Sequence, residues 1–255
     1  MHKMYEKNLK LLETLANWLK ISKFSVVLTG AGISVPSGIP DFRSKDGVYA
    51  KYGQKIFDIE TFNKFPEEFY EFAREELLKM LDAEPNKAHI LLSNLEKTGI
   101  IKGVITQNID NLHKKAGTQN IAEIHGSART WTCLKCNKRY DLLNSYESNQ
   151  LLSQNFRCSC GGRTKPDIVF FGEMLPLNEF SRAENWSKKS DLFITMGTSL
   201  VVYPAAQLPI IAKSNGAKLI IINNTETPFD DRADLKIELD VIEVSEKLSE
   251  ILKIT

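Results

Sequence analysis

Leu-Thr-Gly-Ala-Gly-Ile-Ser-Val-Pro-Ser-Gly-Ile-Pro-Asp-Phe-Arg, residues 28 to 43 of a 255-residue chain, decides how the fold is read. Just ahead of it, the run 24–28 with its β-branched pair Val26 and Val27 reads as a parallel strand covered on both faces. Gly30, Ala31 and Gly32 then leave the backbone bare, so a pyrophosphate can come within hydrogen-bonding distance of successive N–H groups. A turn into a following helix is expected to add a positive dipole end. The third glycine of a dinucleotide loop is replaced by Val35, and the segment runs on through Pro36, Gly38 and Pro40 to Asp41, Phe42 and Arg43. A stiffened loop thus carries an acid, a ring and a guanidinium over the same site.

The same signals place further strands around Val104 and Ile105, Ile168 to Phe171, Leu192 to Met196 and Leu219 to Ile222. Helical patterns lie between several of them, including 66–81 and 86–95. Strands alternating with helices predict an α/β fold with a doubly wound, mostly parallel, Rossmann-like sheet. Ligands of such sheets sit beyond the carboxyl ends of the strands, and Gly30, Gln107 to Asp110, Gly197 to Ser199 and Asn223 each follow a strand. These motifs are expected to converge on one crevice.

All four cysteines fall between positions 133 and 160, with Cys133 and Cys136 spaced C-x-x-C and Cys158 and Cys160 spaced C-x-C. Two close pairs read as a structural tetrahedral zinc site in a small ribbon. The ribbon interrupts the α/β pattern, as does a helix-rich stretch from about 44 to 85. The expected division is a discontinuous dinucleotide-binding domain of 1–43, 86–128 and 166–255, with 44–85 and 129–165 forming a smaller domain. A crevice between the two is the expected substrate channel.

A net charge of +1 gives no global reason to expect nucleic acid or a membrane surface as partner. The first twenty residues place Leu9, Leu12, Leu15, Ala16 and Leu19 at helical spacing among lysines and glutamates, which reads as an amphipathic helix and not a signal peptide. With no apolar run of membrane-spanning length, the expected location is the cytoplasm, where thiols stay reduced.

Taken in order, GAGIS, GIPDFR, TQNID, the His-Gly at 125, the paired cysteines, KPDIVFFGE and GTSLVVYPAA cover nearly the whole chain. Together they resemble the sirtuin family of NAD-dependent protein lysine deacylases, most closely its compact bacterial members. The resemblance implies a protein deacetylase that takes acetylated lysine in protein substrates. The acetyl-lysine carbonyl oxygen attacks the nicotinamide ribose of NAD, and nicotinamide, deacetylated lysine and O-acetyl-ADP-ribose result. That chemistry needs a base of near-neutral pKa. His125 matches the family's catalytic histidine, and Asn108 its partner on ribose and ordered water.

The resemblance also assigns Gln107 to the ribose region, Asp110 to the nicotinamide carboxamide, Phe42 to a shield over the reactive carbon and Arg43 to the phosphates or the loop. Gly30, Gly32, Gly197, Thr198, Ser199 and Asn223 complete the cofactor grip, and Ala31, Ser34, Asp41, Ile109 and Val241 are carried over as further contacts. Val169, Phe171, Gly172 and Val202 match the border of the acyl-lysine tunnel, where a peptide adds as a strand with little side-chain specificity. Family members favouring acidic acyl groups carry a Tyr-x-x-Arg pair. Here Tyr70 is matched, Ala73 stands at the arginine position, and Arg74 lies about 100° further round the helix. Preference for acetyl or another neutral acyl group is implied.

Other readings stay open at this point. A nicotinamide dehydrogenase would carry a ribose-binding acid about twenty residues after the glycines, where this chain has entered its helix-rich stretch. An ADP-ribosyltransferase or NAD glycohydrolase would share the whole cofactor site.

Overall fold

The computed structural model describes residues 2–254. Its larger sheet is built from six parallel strands: β1 Ser25–Thr29, β2 Ile101–Thr106, β3 Ile121–Glu123, β7 Leu192–Met196, β8 Lys218–Ile222 and β9 Leu235–Ile237. The remaining three, β4 Gly126–Cys133, β5 Arg139–Asp141 and β6 Thr164–Ile168, form a separate antiparallel sheet. Spatial order in the large sheet is β3-β2-β1-β7-β8-β9, so the chain winds outward from β1 and then crosses to β7 to wind the other way. The reversal lies between β1 and β7, where a doubly wound sheet leaves its crevice.

Alternation along the strands supplies both faces. Val27, Val104, Ile194 and Ile220 pack with Leu12, Leu15, Leu91, Leu95, Val244 and Leu248 of helices His2–Ile21, Lys87–Lys97 and Val241–Leu252. Val26, Leu28, Ile105, Phe193 and Ile221 pack with Ala183, Leu208 and Ala212 of helices Leu177–Lys189 and Leu208–Ser214. Both faces are closed, which is why these strands are near-continuous apolar runs.

The three-stranded sheet packs against short helical segments between 48 and 82 over a core rich in rings. Phe156 stacks against both Trp131 and Tyr70, at 4.6 and 5.1 Å between centroids and within about 20° of parallel to each, and those two rings are 6.3 Å from one another. Its backbone φ of +58° is a strained value for a bulky residue, so this stacking holds it in place.

Three sequence expectations are corrected. No α-helix follows the first glycines: the chain makes single 3-10 turns at Ala31–Ile33 and Val35–Ser37, because Pro36 and Pro40 cannot donate to a longer ladder. The strand expected at 168–171 lies earlier, at β6, and belongs to the antiparallel sheet. Its apolar continuation crosses between the two sheets, with Val169 N–H donating to the His125 carbonyl and Phe171 N–H to that of Phe57. The helix expected over 66–81 is interrupted by a π-turn at Ala73–Leu77, which a 3.6-residue period does not foresee. Among the described residues no helix is long and apolar enough to cross a membrane.

Candidate active site

Two loops meet where β1 and β7 end. Gly32 N–H donates to the Gly197 carbonyl at 2.9 Å, and a Cβ on Gly197 would lie 2.4 Å from the Ile33 nitrogen. Glycine at both positions therefore lets backbone touch backbone, a use separate from any approach of a phosphate. Gln107, at the end of β2, ties the junction together: its Nε2 donates to Thr198 Oγ1 at 2.9 Å and to the Thr29 carbonyl at 3.3 Å.

His125 sits between β3 and β4. Gly126 follows it with φ +77°, and a Cβ there would stand 2.0 Å from the Asp167 carbonyl oxygen, so only glycine lets β6 run past the histidine. His125 Nδ1 is 3.0 Å from the Gln107 carbonyl, which can only accept. Nδ1 is therefore the protonated nitrogen, and Nε2 keeps its lone pair. Burial lowers the imidazole pKa below the ordinary histidine value, partly offset by the Gln107 bond, so the ring is a neutral acceptor at pH 7.

Behind this surface two hydrogen-bond chains meet at Asn108. The Asn86 N–H donates to His89 Nδ1, leaving the proton on Nε2, which faces Ser34 Oγ at 3.4 Å. Ser34 Oγ accepts from Asn108 Nδ2 at 3.0 Å and donates to Asp110 Oδ2 at 2.7 Å. The second chain runs from His113 Nε2 to Thr29 Oγ1 and on to Thr106 Oγ1, each step 2.9 Å, and Thr106 Oγ1 accepts the Asn108 N–H. The two histidine rings touch at 4.9 Å between centroids. Desolvation pushes His89 down to about 4 and His113 well below the usual histidine range, so both are neutral. The same burial raises Asp110.

A cavity of about 760 Å³ opens over the junction. It gathers Gly30, Ala31, Gly32, Asp41, Phe42, Arg43, Gln107, Asn108, Ile109, His125, Val169, Phe171, Gly172, Gly197, Thr198, Ser199, Val202 and Asn223. Ser34 and Asp110 line a smaller neighbour of about 310 Å³. Ala31, Phe42, Phe57, Asn108 and Ile109 face both, so Phe42, with Phe57 at 5.7 Å from it, stands between the two spaces. Val241 is not brought to either: it is buried in the aliphatic core at the start of the last helix. Tyr70 likewise lies outside, donating to the Thr164 carbonyl at 2.8 Å inside the ring-rich core, with Ala73 buried and Arg74 exposed and bonded to Asn155. Sequence reasoning missed Met174, Leu177 and Tyr203, which line the large cavity and are exposed apolar side chains.

The cysteine ligand atoms all lie within 4.8 Å of one another, with Cys133 and Cys160 sulfurs 3.6 Å apart and those of Cys136 and Cys158 also 3.6 Å. Tetrahedral zinc with sulfur at 2.3 Å needs separations of about 3.8 Å, so the C-x-C pair reaches the same point as the C-x-x-C pair. Tyr140 O–H donates to Cys158 Sγ at 3.2 Å, which favours a thiolate there.

Comparison with known proteins agrees with this geometry. The Sir2 family profile matches residues 30–204. A protein of Thermotoga maritima named NAD-dependent protein deacetylase is 48% identical over 91% of this chain and 94% of its own length. A solved Sir2 variant with a deacetylated p53 peptide and 3'-O-acetyl-ADP-ribose superposes with a TM-score of 0.91, at 46% identity, covering 96% of this chain and 99% of that one. A Sir2 complex with p53 peptide and NAD+ gives 0.86 at 46% identity, over 93% and 96%.

Proposed function

The chain belongs to the Sir2 family, and we infer that it is an NAD-dependent protein lysine deacetylase. The observation that carries this reading is His125 in the wall of the large cavity, neutral and with Nε2 free, beside the glycine junction. The cavity fits the cofactor: small residues line it where β1 and β7 end, while Arg43 offers a cation and Asn223 an amide. NAD, when bound, supplies the ribose that accepts the acetyl group as nicotinamide leaves.

The chain's own groups have distinct tasks in this proposal. His125 Nε2 takes a hydroxyl proton from the ribose, while Nδ1 stays bonded to Gln107 and fixes the ring. Asn108 is held at its backbone and its side chain by separate hydrogen bonds, so it presents a fixed amide to the ribose. Ser34 and Asp110 serve the carboxamide side from the smaller cavity, and Phe42 divides that space from the acyl side. Val169, Phe171, Gly172 and Val202 border the acyl-lysine. The four cysteines hold a structural zinc ion that enters no chemical step. A reducing cytoplasm keeps those thiols available to the metal.

The test is nicotinamide release from NAD with and without an acetyl-lysine peptide. Release that requires the peptide supports deacetylation, whereas equal release without it identifies a glycohydrolase, and label appearing on protein a transferase. With Ala73 at the arginine position and Tyr70 committed to Thr164, an acetyl peptide is expected to turn over at least about tenfold faster than its succinyl counterpart, since an acidic acyl group would be desolvated without a partner. Equal rates would contradict this.

A further inference from the structure

The carbonyl that orients His125 belongs to a peptide unit held from both sides. Gln107 C=O accepts from His125 Nδ1 at 3.0 Å, and the N–H of that same peptide unit, Asn108 N–H, donates to Thr106 Oγ1 at 3.0 Å. The preceding unit is fixed separately, with Gln107 N–H donating to the Thr29 carbonyl at 3.1 Å. Thr106 ends β2 and pairs in register with Thr29, which ends β1. Thr29 Oγ1 donates to Thr106 Oγ1 at 2.9 Å, and with its one proton directed there it accepts from His113 Nε2, also at 2.9 Å. One chain of hydrogen bonds therefore runs from His113, through two hydroxyls and one amide, to the ring in the cavity wall.

Thr29, Thr106 and His113 are buried, and none of them lines either cavity. Hydroxyls and an imidazole in such places cost desolvation that aliphatic side chains would not. Both strands use aliphatic chains just before: Val27 and Leu28 precede Thr29, and Val104 and Ile105 precede Thr106. The polar groups begin where the strands meet the 107–108 amide, and that amide is their route to the site.

We propose that Thr106, backed by Thr29 and His113, is a positioning residue for His125: it sets the plane of the 107–108 peptide and, through it, the direction of the His125 ring. A peptide unit turns as one rigid plate. Without a partner for the Asn108 N–H the plate can tip, and the Gln107 carbonyl swings away from Nδ1. A base misaligned in this way takes its proton more slowly. The proposal deepens the deacetylase reading and rests on it. Burial lowers the His125 pKa and the Gln107 bond raises it, so a weaker bond lowers it further. Asp41, Arg43, Tyr49, Glu173 and Tyr203 share the cavity with His125, and His89 faces His113; the substitutions below change none of them.

The experiment measures kcat, KM and the pH profile of kcat/KM with NAD and an acetyl-lysine peptide for the parent chain, Thr106→Val and Thr106→Ser. Valine keeps the branched shape without the hydroxyl, and serine keeps the hydroxyl. Thr106→Val is expected to lose about tenfold in kcat with both KM values within about twofold of the parent, and its acid limb is expected to move to lower pH. Thr106→Ser is expected to stay within about twofold of the parent with its limb in place. Thr29→Val cuts the chain one step further back. It is expected to lose about threefold in kcat with the same direction of shift, and it decides the matter should Thr106→Val not fold. Parent-like kinetics in the valine variants, or an equal loss in Thr106→Ser, would overturn the proposal. A lower kcat with an unmoved acid limb reports only fewer folded molecules and would overturn it as well. No turnover by the parent chain would instead overturn the deacetylase reading.

Discussion

The two halves of the molecule bury different chemistry. One cluster against the six-stranded sheet has twenty-one buried members and no aromatic ring among them, whereas nine of the twenty in the small half are Phe, Tyr or Trp. Six laterally paired strands let branched aliphatic chains fill both faces of the sheet, and backbone ladders fix their positions. In the small half only three strands are paired, and its helices run to 9 residues at most, against 11 to 20 for the four longest helices of the sheet half. Elements that short cannot orient one another through backbone alone, so large rings and four sulfur atoms take over. His125 stands at the seam, with its ring bonded to Gln107 of the sheet half and its carbonyl bonded to Val169 at the end of β6.

Removing the metal should test this contrast most severely. A strong chelator, or Cys158→Ser, is expected to loosen 126–168 and take activity to background, while β1, β2 and β7 keep their protected amides in hydrogen exchange. Uniform loss of protection would show that the halves do not differ in this way. Truncation comes next. Trp131→Ala should cost about 4 kcal/mol and Leu28→Ala about 3 kcal/mol in denaturant unfolding, each within its own core. Added zinc should restore part of the first loss and none of the second.

Acid should attack the other half. His89 titrates near 4 in the fold against an ordinary value of 6.5, so the unfolded chain binds its proton first as pH falls. Its contribution is complete above pH 6.5 and is lost toward pH 4, about 3 kcal/mol in all. His113 faces His89 directly and Asp110 faces it through Ser34; the burial-raised carboxyl works in the opposite direction. Comparing unfolding curves of the parent and His89→Gln from pH 7 to 4 isolates the histidine. The parent should lose its lead as pH falls, and parallel curves would contradict the assignment.

Much of this was legible in the chain. Strands of five or six apolar residues ending in glycine or amide side chains locate the crevice, because a parallel sheet must bury both faces and must end somewhere polar. The cysteine spacing gives the metal site for the same local reason. Three-residue strands β3 and β9 carry too little pattern to be read. Val241 resembles a cofactor contact only by position, and the packing of its helix turns it into the core. The separation of Ser34 and Asp110 from His125 into a second cavity depends on where Phe42 points, and no sequence period reports that. Met174 and Leu177 read as ordinary residues before and at the start of a helix; only their exposure at the cavity rim sets them apart.

The most direct measurement is mass spectrometry of the products from NAD and an acetyl-lysine peptide, for the parent chain and for His125→Ala. The parent is expected to give nicotinamide, deacetylated peptide and O-acetyl-ADP-ribose in equal amounts, and the variant to leave the peptide acetylated. An untouched peptide with the parent chain, or full deacetylation by the variant, would contradict the account.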